Sequence, residues 1–188
     1  MPTDTHAQQL LALLARISFR LGQFKLSSGG SSDYYIDCRT TTLHAEGGRL
    51  TGHAVLELLE KNQIDADAVG GLTMGADPVA LAIGMSSWME SSQHLLQVFS
   101  VRKAPKAHGQ TKLIEGNFAP GDSVVVLDDV VTRGDSTLKA IESVEQAGGK
   151  VAFVAVLVDR DEGGSDKIRA LGHKVISVFK RVELTGNV

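Results

Sequence analysis

Asp128 and Asp129 close an apolar run, Val124-Val125-Val126-Leu127, and open onto Val130-Val131-Thr132-Arg133-Gly134-Asp135-Ser136-Thr137, a hydroxyl-rich turn containing glycine. Paired carboxylates cannot hold a phosphate directly, because like charges repel, but they suit sugar hydroxyls or the waters around a divalent cation. The turn suits the phosphate. A strand, a tight polar loop and a helix in that order aim backbone N–H groups and a helix N-terminus at whatever sits above the strand end. One segment therefore offers an anion nest beside a diol or metal clamp. A Walker B strand also ends in acids, but its partner loop, Gly-x-x-x-x-Gly-Lys-Ser/Thr, occurs nowhere in the chain. A second segment, Arg102-Lys103-Ala104-Pro105-Lys106-Ala107-His108-Gly109, gathers Arg102, Lys103, Lys106 and His108 with no carboxylate among them. In a chain of net charge −3 such a concentration of cations fits a polyanion.

The elements that must position these groups alternate in type. Leu10, Leu13, Leu14, Ile17 and Leu21 recur at helical spacing and predict a helix over 6–21, ended by Gly22. From Phe24 to Arg39 the chain reads as strand, glycine turn and strand, a hairpin. A helix over 46–61, a strand over 68–72, a helix over 78–90 and a strand over 95–102 follow. The central strand, 124–127, leads into a helix over 137–146 whose Leu138, Ile141 and Val144 share one face, and Gly148-Gly149 stops it. Strands over 151–158 and 174–179 complete a pattern of parallel βαβ units. Residues 103–121 break the pattern, and a long loop inside a compact domain is usually functional.

Composition bounds what these parts can serve. The chain has 188 residues, 43% of them hydrophobic, which is the size of one α/β domain with a small appendage. Its net charge gives no general attraction to nucleic acid or to an anionic membrane. Cys38 is the only cysteine, so no internal disulfide can form; a reducing compartment and a partly buried side chain are expected. The N-terminus lacks a signal-peptide pattern and no apolar run approaches about 18 residues, so a soluble cytoplasmic protein is expected. His6, His44, His53, His94 and His173 are scattered without ligand spacing, and Met85 and Trp88 read as core or subunit packing.

The acid pair and its turn resemble the binding motif for phosphoribosyl pyrophosphate (PRPP) of the type I phosphoribosyltransferases. That resemblance implies an α/β fold with a central, mainly parallel sheet flanked by helices and a small N-terminal hairpin hood. It places the whole chain, 1–188, in one domain, with the hood over about 22–40 and a mobile catalytic loop over about 103–119. The basic run narrows the likeness, because Arg-Lys-x-x-Lys-x-His-Gly resembles the catalytic loop of the orotate phosphoribosyltransferases. Three further segments agree. Phe24 to Gly29 with Asp33-Tyr34-Tyr35 is similar to that family's hairpin, Gly70-Gly71-Leu72-Thr73-Met74-Gly75-Ala76-Asp77-Pro78 to its pyrophosphate loop, and Val158-Asp159-Arg160 to the strand end whose arginine meets the orotate carboxylate. The likeness spans about residues 6 to 180.

The resemblance implies transfer of ribose 5-phosphate from PRPP to N1 of orotate, giving orotidine 5-monophosphate and pyrophosphate, a step of pyrimidine (UMP) synthesis. Asp128 and Asp129 would hold the ribose hydroxyls, and Val130 to Thr137 would cup the 5-phosphate. Arg102, Lys103, Lys106, His108, Thr73 and Gly75 would meet the pyrophosphate, with Mg²⁺ held mainly by PRPP and water. Lys25, Tyr34, Tyr35, Thr132 and Arg160 would surround the orotate, with Arg39 a second candidate for its carboxylate. A homodimer whose catalytic loop reaches the neighbouring site is also implied, with no nucleic acid or membrane partner. The chain departs from the family at Ser27 and at Met74-Gly75-Ala76, where many members carry lysine. Lys25 lies two residues before Ser27 and, by strand alternation, shares its face. Two rivals remain open: transfer to a purine or another base, and a sensor of PRPP that binds RNA. The basic run and the hairpin favour orotate, and the acidic net charge weighs against RNA.

Overall fold

The computed structural model describes residues 5–25, 31–90, 95–104 and 112–186; Ser27, His94, Lys106 and His108 lie outside them. The chain forms, in order, α1 (His6–Ile17), β1 (Phe19–Lys25), β2 (Ser31–Ile36), α2 (Arg39–Thr42), α3 (Ala45–Lys61), β3 (Ala68–Leu72), α4 (Ala76–Glu90), β4 (Gln97–Val101), β5 (Ile114–Gly116), β6 (Ser123–Val131), α5 (Asp135–Gln146), β7 (Lys150–Asp159), α6 (Gly164–Ala170), β8 (Val175–Lys180) and α7 (Arg181–Thr185). β1 and β2 pair antiparallel as a small sheet of their own. The other strands form a six-stranded sheet in the order β5-β4-β3-β6-β7-β8, parallel except for the edge strand β5.

β6 is the spine of that sheet, and its β-branched residues explain why. Val125 and Leu127 pack on one face with Val69, Ala155 and the apolar sides of α3 and α4. Val124 and Val126 point the other way, onto Ala140, Ile141 and Val144 of α5. A strand buried on both faces must be apolar at every position, and each such side chain contributes about 1.5–3 kcal/mol. The connections set the location of any ligand. From β3 the chain moves outward to β4, whereas from β6 it moves the opposite way to β7 and β8. The strand order thus reverses between β3 and β6, and a crevice opens beyond their carboxyl ends. Asp128 and Asp129 lie near one of those ends and Thr73–Gly75 follows the other.

Helix α1 begins at a capping box in which the Thr5 hydroxyl accepts from Gln8 N at 3.2 Å and Thr5 N donates to the Gln8 side chain at 2.8 Å. It buries Leu10, Leu13 and Leu14 against Leu50 and Ala54 of α3 and against Tyr34 of β2, which fastens the hairpin to the body. Among the described residues, no helix is long and apolar enough to cross a membrane.

Several expectations change. The first helix stops at Ile17, because Phe19 enters β1 opposite Ile36; Leu21, four residues past Ile17, mimics a further helical position but lies exposed on the strand. The hairpin therefore starts earlier than expected and ends at Ile36, leaving Arg39 to open α2. Ile114–Gly116, expected within a loop, adds an edge strand to β4. The short helices α6 and α7 carry too few apolar repeats to announce themselves in sequence. Cys38 is fully buried, whereas Met85 and Trp88 are 59% and 72% exposed, which removes them from the core.

Candidate active site

The acid pair does not terminate its strand. β6 continues through Val131, and Asp128 and Asp129 lean apart along it while both reach the same cavity. Asp128 turns towards α5, where the buried Thr137 hydroxyl donates to its Oδ2 at 2.5 Å. Burial, countered by the Thr137 bond and reinforced by the neighbouring Asp129, raises the Asp128 carboxyl to about 7. Asp129 turns towards the loop after β3, and Val130 N donates to its Oδ1 at 3.0 Å. Burial raises this acid also, while Arg39 draws it down slightly. Two desolvated acceptors side by side are costly unless a hydroxyl or cation satisfies them, which makes the pair a candidate for ligand binding.

The turn after β6 is built for close approach. Gly134 takes φ +78° as the residue that caps α5, a conformation that favours glycine. Gly164 N donates to the Thr132 carbonyl at 3.1 Å, bracing the turn from α6. Val130 to Ser136, with Asp128, enclose a concavity of about 160 Å³ at the head of the twelve-residue α5. Two expected contributors turn away from it. The Thr137 hydroxyl is spent on Asp128, and the exposed Asp135 carboxylate accepts from Lys167 at 2.7 Å, which holds it below the usual carboxylate range.

Opposite this turn stands the β3–α4 connection. Thr73 Oγ1 donates to Asp77 Oδ2 at 2.6 Å, and Ser100 Oγ of β4 donates to Asp77 Oδ1 at 2.6 Å, so one carboxylate ties the loop to the neighbouring strand. Gly75 lies against the acid pair: a Cβ there would stand 2.3 Å from Asp129 Oδ1. Arg102 and Lys103 leave β4 beside this loop and share with Thr73, Ser100 and Glu115 a concavity of about 370 Å³. Lys139 of α5 donates to the Lys103 carbonyl at 2.5 Å, which fixes the departure of the basic run. Lys106 and His108, expected beside them, fall outside the described residues.

A cavity of about 420 Å³ joins these parts to the hairpin. Thr73, Gly75, Lys103, Asp128, Asp129, Val130, Thr132 and Ser136 line it from the sheet side, and Tyr35, Asp37, Arg39 and Arg160 are among the residues that line it from the hairpin and β7 side. Asp37 and Arg39 pair through two contacts of 2.8 Å, which lowers the aspartate and presents the arginine at the rim. The tyrosines alternate as a strand demands: Tyr35 lines the cavity, and Tyr34 is buried behind it, stacked on Phe19 at 5.7 Å. Tyr34 is thus removed from direct contact with anything in the cavity. Lys25 is exposed at the end of β1 and forms no part of the wall. Sequence reasoning passed over Asp37, Asp77 and Glu162, because an acid two to four residues from its partner carries no motif of its own.

Comparison with known proteins agrees with this geometry. No protein-family model matches the chain. Curated relatives named orotate phosphoribosyltransferase include one from Aquifex aeolicus, 43% identical over 180 residues that cover 94% of this chain and 96% of its own. Another, from Mycobacterium avium, is 42% identical over 181 residues, covering 96% and 97%. Among solved structures, the Mycobacterium tuberculosis orotate phosphoribosyltransferase in complex with Fe(III) dicitrate superposes with a TM-score of 0.82 at 41% identity, covering 95% of this chain and 98% of that one. The same enzyme in complex with PRPP gives 0.76 at 34% identity, covering 95% and 91%. The adenine phosphoribosyltransferase of Saccharomyces cerevisiae, 21% identical with a TM-score of 0.67 over 92% and 98% of the two chains, shares the fold.

Proposed function

The chain belongs to the orotate phosphoribosyltransferase family, and on that premise we propose that it transfers ribose 5-phosphate from PRPP to N1 of orotate, releasing pyrophosphate, with the labour divided as follows. The observation that carries the reading is the placement of Asp128 and Asp129 at the strand-order reversal, between the Val130–Ser136 turn and the Thr73–Gly75 loop. PRPP bears a phosphate and a pyrophosphate on either side of a diol, and these elements offer complementary groups in that sequence.

The 5-phosphate sits on the turn, held by backbone N–H groups from Val130 to Thr137 and by the Thr132 and Ser136 hydroxyls. The ribose hydroxyls donate to Asp128 and Asp129, whose charge also favours the oxocarbenium character that C1 acquires as its bond to pyrophosphate breaks. The electrons of that bond leave on the pyrophosphate. Arg102 and Lys103, joined by Lys106 and His108, stabilise the charge where it develops. Thr73 and Gly75 present backbone to the same group. The acid pair would meet the water shell of a cation carried mainly by PRPP. Mg²⁺ bound with PRPP would supply further charge neutralisation for the leaving pyrophosphate. Orotate enters under Tyr35 with its carboxylate on Arg160, Arg39 being the second guanidinium in reach of the cavity, and its N1 attacks C1 from the face opposite the leaving group as the N1 proton is released to solvent.

The family likeness further supports a homodimer in a cytoplasmic setting. Leu81, Met85, Trp88 and Met89 recur along one side of α4 and are all more than half exposed, an apolar stripe of the kind that subunit contacts cover. With residues 1–188 as one domain, Tyr35, Asp37 and Arg39 line the cavity from the hairpin side and Lys103 from the side of β4.

The test is turnover by the purified chain supplied with PRPP, Mg²⁺ and orotate, followed by loss of orotate absorbance, with adenine, hypoxanthine and uracil in parallel. Turnover with orotate alone, reduced about 10²–10³-fold in Lys103→Ala, is expected. Reaction with another base instead would sink the orotate assignment and leave the PRPP site standing.

A further inference from the structure

Arg160 does not stand free at the cavity wall. Its side chain is only 14% exposed, and its Nε donates both to the Tyr34 hydroxyl at 2.6 Å and to Glu162 Oε1 at 3.0 Å. Nη2 meets the same Oε1 at 2.8 Å, and the Tyr34 hydroxyl donates to that oxygen at 2.6 Å. One oxygen thus accepts from Tyr34 and from the whole Nε/Nη2 edge of the guanidinium. The Tyr34 ring reinforces the arrangement: the Arg160 guanidinium carbon lies 4.6 Å from its centroid, Arg181 of α7 is 5.1 Å from it, and Phe19 stacks on it.

A guanidinium carries five donors in a rigid fork, so a side chain that engages one edge fixes the plane and direction of the other. Among the described residues, no hydrogen bond engages Nη1 of Arg160, and Arg160 lines the cavity. We propose that Tyr34 and Glu162 are positioning residues that hold the Nε/Nη2 edge of Arg160 so that its remaining edge is set in advance for the carboxylate of the base. The proposal rests on the assignment of orotate to this cavity. It gives Tyr34 a role at one remove from the substrate, and it brings in Glu162, two residues beyond Arg160 and outside the motif that drew attention to that arginine.

Preorganised donors strengthen binding by removing the ordering that each binding event would otherwise require. The effect should fall on the base that carries the carboxylate, and on its binding more than on the bond-breaking step, since the carboxylate does not change charge during transfer. Steady-state kinetics of the full chain decide it. Tyr34→Phe and Glu162→Ala should each raise KM for orotate about tenfold, while kcat and KM for PRPP stay within about twofold of wild type. Glu162→Gln keeps an acceptor oxygen at the same place and should recover most of the loss. An unchanged KM for orotate would overturn the proposal, and so would a joint deterioration of kcat and both KM values, the pattern of a collapsing hairpin. If Tyr34→Phe proves insoluble, the Ala and Gln substitutions at Glu162 decide alone. A wild-type chain inactive with orotate would overturn the function and this inference together, whereas an active wild type with indifferent variants overturns the inference only.

Discussion

Asp128 illustrates how a single side chain can set activity against stability. Its carboxyl ionises near pH 3.8 in an unfolded chain and is raised to about 7 in the fold, chiefly by burial. The folded state therefore binds a proton between those limits that the unfolded state has released. The sign follows: native stability from this group is fully present below pH 3.8 and is lost as pH rises through about 7. The difference is worth about 4 kcal/mol. Asp128→Asn, which cannot ionise, should match wild type near pH 4 and gain stability over it progressively as pH rises, reaching that order above about pH 7 in ligand-free denaturation curves, while losing transferase activity. Gly75 offers a second residue-scale case. Gly75→Ala drives a methyl group to 2.3 Å from Asp129 Oδ1, so the acid must move, and kcat/KM should fall about 10²-fold for a displacement near 1 Å. The identities of these residues were legible in sequence, since an apolar run ending in acids is a strong pattern. Their directions were not. Whether Thr137 faces a ligand or Asp128 depends on where α5 begins, and that start, Asp135, lies two residues earlier than apolar periodicity alone places it.

At the scale of elements, the loop between β3 and α4 is held by Asp77, which reaches forward to Thr73 and sideways to Ser100 of β4. Asp77→Ala would release both hydroxyls at once, detaching the loop from the strand that delivers Arg102 and Lys103. KM for PRPP is expected to rise about tenfold, with a melting temperature lower by several degrees, readable by kinetics and calorimetry on the same preparation. β6 and β7 were readable because each is a nearly unbroken apolar run, as a strand buried on both faces must be. The start of the hairpin was not. Ile17 and Leu21 fall at helical spacing, and only the pairing of Phe19 with Ile36, together with the stacking of Phe19 on Tyr34, turns the chain into a strand. β5 was hidden for a related reason: with three residues on an edge, it gains its order from β4 and not from its own composition.

For the molecule as a whole, the stripe formed by Leu81, Met85, Trp88 and Met89 on α4 is the largest apolar feature left uncovered on any helix described. If two copies cover it, Met85→Glu combined with Trp88→Glu should shift the sedimentation coefficient from that of a dimer to that of a 20.0 kDa monomer. The parallel sheet and its reversal of strand order followed from the alternation of elements, but which strands flank the reversal is a matter of chain path that no local pattern encodes. The buried acid pair has one more consequence. Because two partly desolvated carboxylates weaken the empty protein, a ligand that satisfies them lengthens the molecule's life as well as reacting. Digestion by a nonspecific protease should slow as PRPP is added, so that in a cell short of activated ribose the enzyme itself would be cleared sooner, and supply of the substrate would govern abundance without any dedicated regulator.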